Sequence, residues 1–341
     1  QRSIAGSASA NSNVSSAGSY LYQASYDTGT WTGDLQAFQL TASSDGSVSL
    51  SSAAAWSAET QLSALTYGSG GATRKIYVGK RGTAPSPTAT EFTTGGIESA
   101  LKDDLNKVSA TAAEDGLWAQ RVAYLRGDKS LEGTTFRTRF KELADIINSG
   151  VQYVGAPATS TVYGDGYSLF ASAHAGRTAA VYVGANDGML HAFNAANGNE
   201  LFAYIPSWMG PKLSALTDPA YSHQSYVDAT PAIGVAKTGS GTTANDWKTV
   251  LVSGTGGGGK GVFALDITDP TNFDASKVLW EFTQANDADM GYVLGKSRIV
   301  KLRTSAPSDS TTTYRWFAMV PAGVNNYVAG TDGAFSSTGA P

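Results

Sequence analysis

One segment of 26 residues, VYVGANDGMLHAFNAANGNELFAYIP, alternates short hydrophobic runs with turn-forming residues. The hydrophobic runs are residues 181–184, 189–193 and 201–205, and each is rich in residues that favour β-strands. Between them lie Asn-Asp-Gly at 186–188 and Asn-Gly at 197–198, and Asn-Gly is a strong hairpin signal. The pattern predicts a three-stranded antiparallel meander.

Related versions of this pattern recur along the chain. Residues 21–40 and 250–266 repeat the order of hydrophobic run, turn and second hydrophobic run. An aromatic-bearing strand follows each of them, at 54–56 and 278–282, and residues 316–321 open a fourth version. The spacing of about 66–69 residues allows four strands with their loops. We therefore predict an all-β protein built as a β-propeller, in which each small sheet buries its faces against its neighbours.

Helical spacing replaces the strand pattern between the first and second versions. Residues 97–108 place hydrophobic side chains at 97, 101, 105 and 108, which predicts a helix. Thr111 and Glu114 fit a capping box for a second helix that ends near Leu125, and residues 136–147 predict a third.

These patterns divide the chain into three regions. We predict a first β-blade region at 1–80, a helical insertion at 81–150 that packs on the β part, and propeller blades at 151–341. The propeller is apparently incomplete, because closure takes about four to eight blades and only three and the start of a fourth are visible. The chain also begins with Gln1 and shows no signal peptide, so we expect a processed protein or a piece of a longer one.

Composition narrows the classes of partner. The net charge is −4 and only 15% of residues are charged, so the chain has no basic field for nucleic acid, and we predict no nucleic-acid partner. With no cysteine, disulfides, thiolate metal sites and cysteine nucleophiles are excluded. No hydrophobic run approaches the roughly 18 residues of a membrane span, so we expect no transmembrane segment.

The glycine-rich segment at 254–261, GTGGGGKG, resembles a nucleotide-binding loop in its spacing. A phosphate-binding loop requires a helix next, and a P-loop also requires Ser or Thr at position 261, where this chain has Gly. A β-prone run and an Asp-Pro turn follow instead. We interpret the segment as a flexible hairpin tip that uses the conformational freedom of glycine.

The titratable residues predict no catalytic, metal or cofactor site. The histidines at 174, 191 and 223 are too far apart in sequence for a local metal motif, and His191 is expected on a strand face with a structural role. No calcium-loop pattern is present, and the many Asp residues are interpreted as turn formers. No Gly-x-Ser-x-Gly elbow provides a serine nucleophile.

Arg126, Gly127 and Asp128 form the tripeptide Arg-Gly-Asp. Such a tripeptide in an extended loop can bind an integrin-type receptor. Here it ends a predicted helix, where Gly127 fits the C-terminal capping position that needs a left-handed backbone. We carry both interpretations, capping and receptor binding, for these three residues.

Several segments together resemble the PilC/PilY-type β-propeller family of type IV pilus biogenesis proteins. They are residues 181–206 and, in the order the family shows, the sequences YVDATP (226–231), GVFALDITDP (261–270), VLWEF (278–282), DMGY (289–292), YLRGD (124–128) and LADIINS (143–149). The resemblance covers about residues 21 to 327. It implies a quinoprotein-like β-propeller with no catalytic activity, in an exported protein at the pilus tip or outer cell surface.

The resemblance also implies partners and roles. Members of this family act with minor and major pilins, promote pilus assembly and twitching motility, and attach the cell to host or abiotic surfaces. Some members carry a regulatory Ca²⁺ loop, but its ligand pattern is not found here, so no cofactor is evident.

Two other functions stay open at this stage. The blade pattern also resembles the propellers of pyrroloquinoline-quinone-dependent dehydrogenases, although the adjacent cysteine pair that these enzymes often carry is missing. The seven Trp and sixteen Tyr residues could instead form a carbohydrate-binding face, although blade packing also accounts for them.

Overall fold

The computed structural model describes residues 2–9, 19–65, 67, 74–82, 89–324, 328–329 and 335–336. Four β-sheets and a small two-stranded hairpin follow one another along this part of the chain. The first, sheet I, contains five strands in the order β1-β2-β3-β4, with β5 also paired to β3. Its strands are β1 (Arg2–Ser9), β2 (Ser19–Asp27), β3 (Thr32–Ala42), β4 (Val48–Leu50) and β5 (Trp56–Ser57).

Sheet II contains the predicted meander. Its strands are β6 (Ile76–Gly79), β7 (Ala89–Glu91), β8 (Gln152–Val154), β9 (Ala180–Gly184), β10 (Leu190–Asn194) and β11 (Glu200–Ile205), in the order β7-β6-β11-β10-β9-β8. Strands β9, β10 and β11 are antiparallel, which confirms the prediction for residues 181–205. Strand β6 joins β11 in parallel, so the chain adds a strand to this sheet before it enters the insertion.

Sheet III is an antiparallel meander of four strands, and sheet IV is a hairpin. Sheet III has the order β12 (Ala232–Lys237), β13 (Trp247–Gly254), β14 (Gly261–Asp266) and β15 (Val278–Thr283). Sheet IV pairs β16 (Arg298–Arg303) with β17 (Tyr314–Met319), and a small hairpin pairs β18 (Val328–Ala329) with β19 (Phe335–Ser336).

The helices are short and lie between the strands. They are α1 (Ala58–Ser63), α2 (Ser99–Leu105), α3 (Trp118–Arg126), α4 (Tyr167–Ala173) and α5 (Gly210–Leu213). Single 3₁₀ turns occur at Ser207–Met209, Ser214–Thr217, Ala244–Asp246, Gly256–Gly258 and Ala275–Lys277. Helices α2 and α3 contribute side chains to the same hydrophobic cluster as β6 and β11, so they pack on the β part. The boundaries proposed at 80/81 and 150/151 stay predictions.

Two predictions for the insertion are wrong. The capping box at Thr111 and Glu114 does not start α3, which begins at Trp118 after Leu117 and has no side-chain cap. Asp115 accepts the Leu117 N–H at 3.0 Å just before the helix. The helix predicted at 136–147 does not form.

Distant acceptors explain the missing helix. The Arg137 N–H donates to the Thr217 carbonyl at 2.9 Å, and the Leu143 N–H donates to the Glu59 carboxylate at 2.9 Å. These bonds take donors that a helix would use within itself, so tertiary contacts override the local periodicity.

Each inner sheet is buried on both faces. In β9, Val181 and Val183 point to one face and pack with Tyr22, Leu35 and other residues of sheet I. Alternate residues of the same sheet point to the other face, where they pack with Leu251 and Phe263 of sheet III. Sheet III buries its second face partly against Ile299 and Trp316 of sheet IV. Within the described residues no strand pairing joins the last sheet to the first, so the arrangement is that of an unclosed, incomplete propeller.

Trp56 connects sheet I to sheet II. Its side chain is buried, and its indole N–H donates to the Ala195 carbonyl at 3.0 Å. The ring lies against Gly198 of the predicted Asn-Gly turn, where an added Cβ would approach it to 2.5 Å. Gly198 has φ +76°, so the turn and the tryptophan both require glycine at this position.

We expect Trp56→Ala to lower the free energy of unfolding by about 3–5 kcal/mol, because it leaves a cavity between two sheets and removes one of the two hydrogen bonds to the Ala195 carbonyl, the other coming from the Tyr22 hydroxyl. Val48→Ala, at a side chain that is 53% exposed, is the control and should change stability by less than about 0.5 kcal/mol. Urea unfolding of both variants measures the difference. Equal effects would contradict the assigned role of Trp56.

Candidate functional site

The turn between β9 and β10 joins two networks of buried polar side chains. Asn186, at the start of the turn, belongs to one network, and Asp187, the next residue, belongs to the other. Asp187 also accepts the Met189 N–H at 3.1 Å, which is the turn role predicted from sequence. The same turn therefore shapes the hairpin and anchors charged groups on both sides of it.

The first network surrounds His191, which is fully buried on β10. Its Nδ1 lies 2.8 Å from Glu200 Oε1, and its Nε2 lies 3.0 Å from Asp187 Oδ2. Glu200 in turn accepts two hydrogen bonds from Arg74, at 2.6 Å from Nε and 2.7 Å from Nη2. The four side chains form an alternating row of charges that links β10, β11 and the residue two positions before β6.

The pKa values in this row follow from its charges. Burial alone would lower the pKa of His191, but the Asp187 and Glu200 carboxylates outweigh it and raise that pKa to about 9. Burial likewise opposes ionisation of Glu200, but the Arg74 guanidinium outweighs it and lowers the pKa of Glu200 to about 2. His191 is therefore an imidazolium at neutral pH, and both of its N–H groups are donated to carboxylates. The ring has no free lone pair with which to accept a proton.

The second network centres on Asp145, which is buried between sheets. Asp145 Oδ2 accepts from Asn186 Nδ2 at 2.6 Å and lies 2.8 Å from His223 Nε2. Asn186 also accepts the Tyr226 N–H at 2.8 Å through its own side-chain oxygen. The imidazole of His223 is stacked on the indole of Trp31, with the two ring centres 3.7 Å apart. The network connects the first blade, the end of the insertion and the segment before β12.

Asp228 and Thr230 of the sequence YVDATP fasten the adjoining segment. Asp228 accepts from the Asn148 backbone at 2.9 Å and from the Asn148 amide at 2.7 Å. The hydroxyl of Thr230 accepts the Gly150 N–H at 2.7 Å. This part of the motif thus connects the end of the insertion to the segment before sheet III by hydrogen bonds.

The Arg-Gly-Asp tripeptide lies at the end of α3. Gly127 is the C-terminal capping residue with φ +122°, as the capping interpretation predicts. The Arg126 side chain is buried and donates to the carbonyls of Phe92 at 2.8 Å and Arg74 at 2.9 Å. Asp128 accepts the Ser130 N–H at 2.7 Å. Receptor binding by the three residues stays a prediction, and it would require Arg126 to leave these carbonyls.

The glycine-rich segment connects the antiparallel strands β13 and β14, which confirms the predicted hairpin, but its tip is packed against neighbouring segments. Gly256 has φ +58°, so the expected use of glycine freedom is present. However, an added Cβ at Gly258 would lie 1.6 Å from the Tyr226 carbonyl oxygen, and one at Gly259 would lie 2.6 Å from the Trp208 ring. Strand β14 follows directly, so the helix that a phosphate-binding loop requires next does not follow this loop. The glycines allow the close approach of two neighbouring segments.

Sequence reasoning placed His191 on a strand face but missed its partners Arg74 and Glu200. Arg74 and Glu200 are 126 positions apart, and Asp145 and His223 are 78 positions apart. No local spacing signals such pairs, since only the pairing of β6 with β11 and the stacking of sheets bring them together.

The described residues contain neither a metal-binding cluster nor a membrane-spanning helix. Residues 19–65, 67, 74–82 and 89–324 contain no group of three or more His, Cys, Asp or Glu side chains arranged to hold a metal ion. No helix in the described part of the chain is long and apolar enough to cross a membrane.

Comparison with known proteins relates this architecture to a family. The family model described as "PilY1 beta-propeller domain" matches residues 143–322. The type IV pilus biogenesis factor PilY1 of Pseudomonas aeruginosa strain PAK is 39% identical over 300 residues, covering 83% of this chain and 24% of that protein. A PilY1 homolog of Xylella fastidiosa is 36% identical over 328 residues, covering 93% of this chain and 23% of that protein. The chain thus spans about a quarter of the length of these relatives.

A solved structure is also similar in sequence. The crystal structure of the Pseudomonas aeruginosa PilY1 C-terminal domain is 36% identical, covers 50% of this chain and 31% of that chain, and has a TM-score of 0.38.

We expect His191→Gln to remove a pH dependence of stability. The folded pKa of about 9 lies above the ordinary value of 6.5, so the proton stabilises the fold below pH 6.5, and this contribution is lost as pH rises through 9. The difference in unfolding free energy between wild type and variant should shrink by about 3 kcal/mol over that interval. Urea unfolding at pH 6, 7.5 and 9 measures it.

His174→Gln is the matched control for this experiment. Burial lowers the pKa of His174 below 6.5, so this residue is neutral in both states over most of the interval. In the His174→Gln variant, the unfolding free energy should depend on pH as it does in the wild type. If His191→Gln also kept the wild-type pH dependence of the unfolding free energy, the His191 imidazolium would not stabilise the fold as described.

We expect Gly127→Ala to destabilise the fold more than Gly116→Ala. Both glycines have positive φ, at +122° and +75°, so both variants carry a backbone cost of about 1–2 kcal/mol. Only at Gly127 would the new Cβ meet a neighbour, the Tyr67 ring at 2.1 Å, whereas Gly116 faces open space. Thermal unfolding should show a larger loss for Gly127→Ala by at least about 1 kcal/mol. Equal losses would mean that the ring moves aside freely.

Proposed function

Because the chain belongs to the PilY1 β-propeller family, we propose that it is a non-catalytic type IV pilus biogenesis factor that acts as a binding module in pilus assembly. The similarity to proteins that bear this name, at 39% identity over 300 residues, is the observation that carries the proposal. We further propose that the protein is exported and lies at the pilus tip or outer surface, with minor and major pilins as partners. Surface attachment and twitching motility follow from that placement.

The chemistry of the buried groups supports a role without catalysis. The most strongly perturbed histidine, His191, donates both ring N–H groups to carboxylates and is closed to solvent. Glu281, also buried, accepts from the Tyr204 hydroxyl at 2.6 Å and from the Ser207 N–H at 2.9 Å. A general acid or base must reach a substrate, whereas these groups fasten strands and turns to one another. We assign the chain no cofactor.

A carbohydrate-binding role is the second candidate, and one groove favours it. The groove lies between sheets III and IV, has a volume of about 1030 Å³, and is lined in part by Tyr163, Trp280 and Trp316. Tyr163 and Trp316 lie with ring centres 5.9 Å apart. Aromatic faces of this kind bind the apolar faces of sugar rings.

Deleting the gene in the bacterium that carries it tests the pilus proposal. We expect fewer surface pili by electron microscopy and smaller twitching zones, both restored by the wild-type gene. Complementation with Val48→Ala should restore them fully, and Trp56→Ala should restore them poorly because its sheets separate more easily. Normal piliation and twitching in the deletion strain would overturn the proposal.

A glycan array with purified protein tests the second candidate. Binding that Trp316→Ala abolishes, while Val48→Ala retains it, would support a sugar site in the groove. An array without binding would remove that candidate and leave the pilus proposal unaffected.

A further inference from the structure

A small cavity lies where the first blade meets the loop that was predicted to be a helix. It has a volume of about 40 Å³, and its walls include Trp31 of the β2–β3 turn, Tyr124 of α3, and Arg137, Phe140 and Lys141 of the loop. A cavity of this size holds a water molecule or a group a little larger, such as a carboxylate, but not a whole sugar ring. Any ligand would therefore place only one group inside it.

Arg137 brings to this cavity a positive charge with one buried donor, Nε–H, that has no acceptor among the described residues. Its Nε is shielded from solvent and has no hydrogen-bond partner. The guanidinium lies over the Tyr221 ring, 4.2 Å from the ring centre, and the Arg137 backbone is held by the Thr217 carbonyl. Arginine stays charged in proteins, so the cation is fixed in place while its Nε–H can still donate a charge-assisted hydrogen bond.

The acidic groups at the cavity are committed to other partners. Asp187 faces His191 at 3.0 Å, and Glu142 pairs with Lys129 and accepts from Ser63.

The second arginine of the cavity lining, Arg139, is already paired with a carboxylate. Arg139 forms an ion pair with Glu132 at 2.6 Å. Arg137 and Lys141 therefore give the cavity a net positive charge in a chain whose total charge is −4. This excess favours an anionic group.

The backbone of Trp31, in the cavity wall, has a strained conformation. With φ +53°, it is the only non-glycine residue with positive φ among the described residues. The conformation is unfavourable for a bulky side chain and persists only where the surroundings impose it. Here the stack on His223 holds the indole at the cavity. Strained residues of this kind cluster at binding sites.

Apolar side chains form part of the cavity lining. Phe140 is 71% exposed and lies beside Lys141, and Leu125, Ala144 and Leu216 are further apolar residues of a lining that also contains Thr30, Thr32 and Thr138. A ligand with apolar surface next to its charge would contact both kinds of side chain. A carboxylate on a short carbon chain meets this condition, whereas phosphate carries polar oxygens on all sides.

We propose that this cavity is a carboxylate-binding site in which Arg137 receives the anion, Lys141 assists it, and Trp31 and Phe140 contact the adjacent carbon atoms. The carboxylate can come from an acidic side chain of a partner protein or from a sugar acid. The site does not depend on the pilus proposal, because it concerns the chain alone.

Nuclear magnetic resonance of the arginine Nε–H groups tests the site in the 341-residue chain. Titration with sodium acetate, against sodium chloride at equal ionic strength, should shift the Arg137 signal in a saturable way. Arg137→Gln should remove saturable binding, and Lys141→Gln should weaken it several-fold. Arg298→Gln, at an exposed residue of β16, is the control and should bind as wild type does.

The two sources of carboxylate are separated by further titrations. Tighter binding of N-acetylglutamate amide than of acetate supports a protein side chain, and tighter binding of glucuronate supports a sugar acid. Preference for inorganic phosphate over every carboxylate would overturn the proposal. So would an Arg137 signal that acetate and chloride affect alike, or unchanged acetate binding in both Arg137→Gln and Lys141→Gln.

Discussion

Burial of both faces of a narrow sheet is the constraint on which the structure depends. A sheet of four to six strands presents two hydrophobic faces, and in sheet II Val181 and Tyr182, adjacent in one strand, belong to two different clusters. Neither cluster exists without the neighbouring sheet, so no blade is stable by itself. The insertion follows the same rule, because Leu101 and Val122 of its helices enter the cluster between sheets II and III.

Buried charged groups between the stacked sheets fix the relative positions of segments, which hydrophobic contacts alone would not specify. Removing a charge from water is costly, and a buried ion pair is tolerated only when each member is fully hydrogen-bonded. Arg74, Glu200 and His191 meet that condition, and the geometry ties β11 to both of its neighbours. The same condition explains why His191 is held as a cation and is unsuited to proton transfer. Arg137 does not meet this condition, because its buried Nε–H has no hydrogen-bond partner among the described residues. This free donor is the basis for the proposed binding of an external anion.

The local sequence pattern predicts secondary structure correctly where the tertiary contacts favour the same element. Alternating hydrophobic residues and an Asn-Gly turn predicted β9 to β11 closely, because both faces of that sheet are buried and the turn itself requires glycine. At residues 136–147 the periodicity was helical, but Glu59 and the Thr217 carbonyl captured the backbone N–H groups. The glycine-rich segment shows a related limit, since its composition indicated conformational freedom while Trp208 and Tyr226 pack against it.

The sequence by itself determined the strands of the repeated pattern, β2, β3, β5, β9 to β11 and β13 to β15, the capping glycine at 127 and the family to which the chain belongs, because these depend on neighbouring residues and on motifs read in order. Only the tertiary structure decided which charges meet. Arg74 reaches Glu200 across 126 positions and Asp145 reaches His223 across 78, whereas Arg137 reaches the Tyr221 ring but no carboxylate of the described residues. The physical reason is that hydrogen bonds and ion pairs act over a few ångströms, and sheet stacking sets those distances without leaving a local signal in the chain.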